Sequence, residues 1–186
     1  MRRGFKTQAE KSAAEARKML GVHRIGKLDP WAYADHLNVI LLDFHELGLS
    51  DATVRQLTKV DGDSWSAMTL EEAGLRSIVL NPAHAATRQA NDLMHELSHL
   101  ELGHTPARVD VSGSGLFLLS NYSEDQEQEA DWRAGAMLLP RDALWHHRSR
   151  AMSAEEIGRL YGVSKALCEW RLRTTGIEIQ LKRRRA

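Results

Sequence analysis

The stretch Leu93-Met94-His95-Glu96-Leu97-Ser98-His99-Leu100-Glu101-Leu102-Gly103 decides the reading of this chain. Leu93, Leu97 and Leu100 recur at helical spacing and Gly103 follows as a helix stop, so the spacing predicts a helix from about residue 84 to Leu102. On that helix His95 and His99 stand four positions apart and share a face. Two neutral imidazoles so placed converge on one zinc ion, and Glu96 between them is the residue type that takes a proton from water. A surface histidine pair beside an unrelated glutamate is the ordinary alternative, and a third ligand elsewhere would decide against it.

A third histidine in the pattern His-Glu-x-x-His-x-x-Gly-x-x-His fails here, because Gly103 comes one position late and His104 one early. A carboxylate from a later helix is the other route. Glu124, Asp125, Glu127, Glu129 and Asp131 all fall in a helix expected from Glu124 to just before Pro140. Glutamates at a helix start also suit the helix dipole, which accounts for Glu124 and Asp125 but not for Glu129, beyond the first turn. Glu129 shares a face with Trp132, Arg133 and Ala136, and small Ala130, Ala134 and Ala136 permit close helix packing. Glu129 is therefore the preferred third ligand and Glu127 the runner-up. Tyr122 and His104 are candidates for oxyanion help or for lining the pocket, with a plain core role for Tyr122 as the alternative.

Composition limits the rest. The 186 residues, 42% hydrophobic, suffice for one core with a small appended module. Lys plus Arg equals Asp plus Glu at 25 each, so no global charge favours nucleic acid or membrane, although Lys182-Arg183-Arg184-Arg185 is locally basic. Cys168 is the single cysteine, which excludes a disulfide framework and a thiolate zinc site within one chain. No apolar run approaches the roughly 20 residues that span a bilayer. The basic start Met1-Arg2-Arg3-Gly4-Phe5-Lys6 has no hydrophobic signal core after it, so a cytoplasmic location is expected.

Further helices are expected over 8–20 and from Asp29-Pro30 to about Leu37, the latter with Asp as N-cap and Pro at the first helical position. Short strands are expected at 38–42, 65–69 and 76–80, the last stopping at Asn81-Pro82, with a short helix over 51–57. Residues 105–123, with Pro106 and Gly113-Ser114-Gly115, read as a loop placed to gate the site. The strand at 76–80 is expected beside the cleft, where a free edge would take substrate by strand addition. The fold class is thus α+β: a zincin-like, mostly helical core over 1–140 with a small mixed or antiparallel sheet, then a C-terminal helical module over 141–186. In that module Ser153-Ala154-Glu155-Glu156 is a capping box, and Tyr161-Gly162-Val163-Ser164 is a tight turn. The layout resembles a helix-turn-helix, with Arg171 and Arg173 available to phosphates.

Taken together the chain resembles the ImmA/IrrE family of zinc-dependent peptidases. The residues that carry the likeness are Asn81-Pro82, the run from Arg88 to His104, Glu129-Ala130-Asp131 and Leu138-Leu139-Pro140. Trp65-Ser66-Ala67-Met68-Thr69, Ile78-Val79-Leu80 and Gly4-Phe5-Lys6 add to it, over roughly residues 4–175. The sequence departs from the family pattern at Asp131, where Asn is usual, and at Trp132-Arg133-Ala134, where a Phe-Ala pair is typical. The resemblance implies a metal site of His95, His99 and Glu129 holding Zn²⁺, with Mn²⁺ or Fe²⁺ as cellular alternatives. It implies endopeptidase activity by metal-activated water with Glu96 as general base. The implied substrate is a helix-turn-helix transcriptional repressor encoded nearby, cleaved in stress or mobile-element control. Direct DNA binding through the C-terminal module is the lesser expectation, and no membrane partner is expected. The competing reading is a non-enzymatic DNA- or protein-binding regulator that retains the zincin-like fold; a third is a zinc hydrolase with a non-peptide substrate.

Overall fold

Two helices, α4 (Ala86–Leu102) and α5 (Glu124–Leu138), pack against each other and carry the residues singled out above. The computed structural model describes residues 1–72, 75–105, 108–111, 117–120 and 122–185; over 71–72, 108–111, 117–120 and at 185 only the backbone is described. Gly103, left-handed at φ 64°, closes α4 as its spacing predicts. α5 opens on a capping box in which Ser123 and Gln126 satisfy each other's backbone N–H groups. From Glu129 to Leu138 every residue of α5 except Asp131 is buried, so this helix is the axis of the molecule.

α1 (Phe5–Met19) lays Phe5, Ala9, Ala13 and Ala16 against α5. The alanines let the two backbones approach closely. The end of α5 is held by two fully buried arginines. Arg17 donates to Met137 O at 2.7 Å as well as to Gly26 O and Ala13 O, and Arg171 donates to Leu139 O at 3.1 Å and pairs with Glu10. Both satisfy carbonyls that a helix C-terminus leaves without an internal partner. α2 (Pro30–His36) begins on the expected Asp29 cap and Pro30, and also packs on α4.

The sheet has the order β1-β3-β2-β5-β4 among the described residues: β1 (Ile40–Leu42), β2 (Ala67–Glu72), β3 (Leu75–Leu80), β4 (Arg108–Val111) and β5 (Phe117–Ser120). β1 runs parallel to β3 and the other pairings are antiparallel, so the sheet is mixed. Alternation along β3 sends Ile78 into the main core and Val79 to a second cluster with Phe44 and Leu70 on the opposite face. Two expectations are corrected here. β3 is flanked on both sides and offers no free edge; the outer strands are β1 and β4. The segment 105–123 is not simply a loop, since β4 and β5 pair within it; Pro106 and Gly113-Ser114-Gly115 lie outside the described residues. A short α3 (Asp51–Arg55) runs on into a π-helical turn over 56–60.

The C-terminal helices are α6 (Arg141–Arg148), α7 (Ala154–Tyr161), α8 (Lys165–Thr174) and α9 (Ile177–Arg185). Ser153 and Glu156 form the capping box of α7, Gly162 turns the chain at φ 69°, and Ser164 caps α8. This is a helix-turn-helix-like arrangement. Its Ile157, Val163, Leu172 and Leu181 belong to the same buried cluster as Phe5, Leu93 and Met137. Arg171, read from sequence as a phosphate contact, is fully buried and cannot reach a surface ligand; Arg173 is exposed. No helix among the described residues is long and apolar enough to cross a membrane.

Candidate metal centre

α4 presents His95 and His99 one turn apart, with their Nε2 atoms 2.9 Å from each other. α5 brings Glu127 to the same point: its Oε2 lies 3.2 Å from His95 Nε2 and 3.7 Å from His99 Nε2. One ligand atom from each of the three falls within a 4.8 Å cluster. The remaining ring nitrogens are engaged behind the site. His95 Nδ1 is 3.0 Å from Asp131 Oδ1, and His99 Nδ1 is 3.0 Å from His104 Nδ1. With Nδ1 engaged behind, Nε2 of each imidazole is the nitrogen turned toward the shared point, and partners of this kind fix the orientation of metal-binding histidines.

Without a metal, the three groups are held together by a proton, which an ion bound there would displace. Burial opposes charge on His95, but the Asp131 and Glu127 carboxylates outweigh it and hold the imidazolium up to about 10. Burial, then the neighbouring His95 charge, drives His99 down to about 3. Hydrogen bonding to His95 holds Glu127 below its ordinary value. Two imidazoles facing each other at 2.9 Å thus share a single proton beside a carboxylate. Two imidazoles and one carboxylate are the donor set of a catalytic zinc site, and the residues fit such an ion.

Glu129, the preferred third ligand on sequence grounds, is placed elsewhere. Successive residues of a helix turn by about 100°, so a residue two positions from Glu127 points to a different side. Glu129 is 5% exposed and is gripped by Arg2, which donates its backbone N–H to Oε1 at 2.8 Å and its Nη2 to Oε2 at 2.7 Å. Its Oε2 also lies 3.5 Å from His104 Nε2. The geometry therefore brings together His95, His99 and the runner-up Glu127.

Glu96 points from α4 toward the sheet, where Thr69 of β2 donates to its Oε2 at 2.5 Å. Burial pushes its carboxyl above the ordinary range, against the pull of that hydrogen bond and of His95. Tyr122 stacks on His99 with ring centroids 3.7 Å apart, and burial followed by the charges of Glu96 and Glu127 pushes its phenol up to about 12. Both Tyr122 and His104 thus border the histidine pair, Tyr122 against the ring face of His99 and His104 against its Nδ1. Sequence reasoning gave Thr69 no role at the site and weighed Asp131 only as one carboxylate of its segment, not as the partner of His95. The signal for Asp131 was its spacing of four from Glu127, the same one-turn relation as between the histidines.

A helix bearing a convergent histidine pair, bridged by a carboxylate from a second helix and backed by a small sheet, defines a metallopeptidase-type protein. A family model described as the IrrE N-terminal-like domain, peptidase family M78, matches residues 50–173, two thirds of the chain. The chain belongs to that family. No curated protein and no solved structure matches it.

Proposed function

We propose that the protein is a zinc-dependent endopeptidase whose metal is held by His95, His99 and Glu127. The convergence of these three donors beside the half-buried carboxylate of Glu96 carries this reading. A zinc ion bound there supplies Lewis acidity toward a water and a substrate carbonyl. Glu96 does the proton work. Its Oε2 is occupied by the Thr69 hydroxyl, which leaves Oε1 to accept the proton of the attacking water and return it to the departing amine. A carboxyl whose proton affinity is raised by burial suits both halves of that transfer. Asp131 keeps His95 oriented, and the Tyr122 phenol, protonated at neutral pH, is the donor for the developing oxyanion.

The proposed substrate is a helix-turn-helix transcriptional repressor encoded nearby, and the support for it is the sequence resemblance set out above. The test is cleavage of such a repressor by wild type and by Glu96→Gln, with metal content assayed in both. Cleavage by wild type alone, at equal metal content, is expected. Cleavage by Glu96→Gln at the wild-type rate removes Glu96 as the base. A wild type that takes up no metal after reconstitution removes the enzyme reading in favour of a non-enzymatic regulator.

A further inference from the structure

Behind His99 the side chains continue in one direction. Gly103 turns the chain in a left-handed conformation at the end of α4, and the His104 N–H bonds back to His99 O at 3.1 Å. That turn places His104 Nδ1 3.0 Å from His99 Nδ1. One of two facing ring nitrogens must donate and the other accept. If His99 donates from Nδ1, His104 accepts there and carries its own proton on Nε2, which faces Glu129 Oε2 at 3.5 Å. If the order were reversed, the His104 Nε2 lone pair would face a carboxylate. Among the described residues Glu129 accepts four hydrogen bonds from Arg2, one from its backbone and three from its guanidinium. The side chains of His99, His104 and Glu129 are 1%, 5% and 5% exposed, so the chain of contacts is shielded from bulk solvent.

We propose that Glu129, acting through His104 and fixed by Arg2, is a positioning residue that holds His99 in the tautomer whose Nε2 faces the metal. The inference rests on the metal-centre reading above. It assigns a role to a buried carboxylate that the ligand triad leaves unused, and it makes a residue preceding α1 part of the apparatus that sets zinc affinity. It also makes the two histidines unequal. His95 leans directly on a carboxylate, whereas His99 reaches one through an intervening imidazole.

The experiment uses the full chain and reads zinc affinity by competition with a chromogenic chelator, together with the visible spectrum of the cobalt-loaded protein. Glu129→Ala is expected to weaken zinc binding about 10- to 100-fold and to shift the cobalt bands, with thermal midpoint near wild type. Glu129→Gln, which keeps an acceptor, recovers part of the loss. In a His104→Ala background Glu129→Ala has no further effect, because the two act in series. If Glu129→Ala does not fold, Arg2→Ala, which removes the three guanidinium hydrogen bonds and keeps the backbone one, is expected to give a smaller loss of the same kind. A zinc affinity within twofold of wild type in the folded Glu129 and Arg2 variants overturns the proposal. So does complete loss of binding in Glu129→Ala with binding intact in Glu127→Ala, since Glu129 is then a direct ligand. Glu127→Ala abolishes binding if the metal-centre reading is right, so its result separates failure of that reading from failure of the positioning chain.

Discussion

Asp131 Oδ1 lies 3.0 Å from His95 Nδ1, and this contact selects the ring nitrogen that His95 turns toward Glu127. Asp131→Ala is therefore expected to weaken zinc binding about 10- to 100-fold, with overall stability little changed, because Asp131 is largely exposed. Asp131→Asn keeps a carbonyl acceptor and falls between the two. Chelator competition gives the order; equal affinities for all three would show that His95 needs no such partner.

Thr69 is buried and holds one oxygen of Glu96, so Thr69→Val removes a hydrogen bond to a half-buried carboxylate while preserving shape. A loss of 1–2 kcal/mol in the transition state corresponds to turnover about tenfold lower. The expected signature is a fall in kcat with KM and metal content unchanged. A rise in KM alone would place Thr69 in substrate binding instead.

Gly135 sits where α5 meets α8. A Cβ there would lie 2.7 Å from Trp170 Cζ3 and 2.9 Å from Arg171 Cδ. Neither neighbour is free to give way: Trp170 packs on Trp132, and Arg171 is bound to Leu139 O and Glu10. Gly135→Ala normally gains about 1 kcal/mol of helix propensity. Here overpacking of about 1–3 kcal/mol wins, and urea unfolding is expected to show a net loss of stability.

Cys168 is fully buried, and burial, with the nearby Glu169 charge, pushes its thiol up to about 11. The folded state thus favours the neutral thiol. The stabilisation is complete below the ordinary thiol range and is lost as pH rises from there through the folded value, on the order of 2 kcal/mol in all. Cys168→Ala is expected to lose less stability than wild type between pH 8 and 10.5, read from urea midpoints. Identical slopes for the two proteins would remove this linkage.

α4 was legible because everything that makes it is local: apolar spacing, a stop glycine and the histidine pair all lie within twenty residues. The choice between Glu127 and Glu129 was not. Both belong to α5, two positions apart, and the rotation of α5 about its axis is set by where Ala130, Ala134 and Ala136 bury. The face shared by Glu129 with Trp132 and Arg133 proved to be the core side, where Arg2 and His104 meet it. Glu127 and Asp131 stand instead at the half-exposed seam that borders the cleft. The β4–β5 pairing escaped notice because four-residue strands carry little periodic signal, and Gly113 and Gly115 between them read as loop. α9 was hidden by its basic composition, although Ile177 and Leu181, one turn apart and both buried, mark its inner face.

The contact between Glu10 and Arg171 joins positions 161 residues apart. Residue 171 sits near the far end of the chain, and until it arrives Glu10 has no cation and Leu139 O no donor at 3.1 Å. The core around α5 is thus closed only when α8 has left the ribosome, and contacts of such long range slow folding. During synthesis the histidine pair is made early but its scaffold is finished late, and a nascent chain stalled before α8 would leave uncovered the part of α5 around Trp132 and Gly135 on which Trp170 packs. The far end of the molecule thereby acts as a completion check on a centre that lies entirely upstream of it.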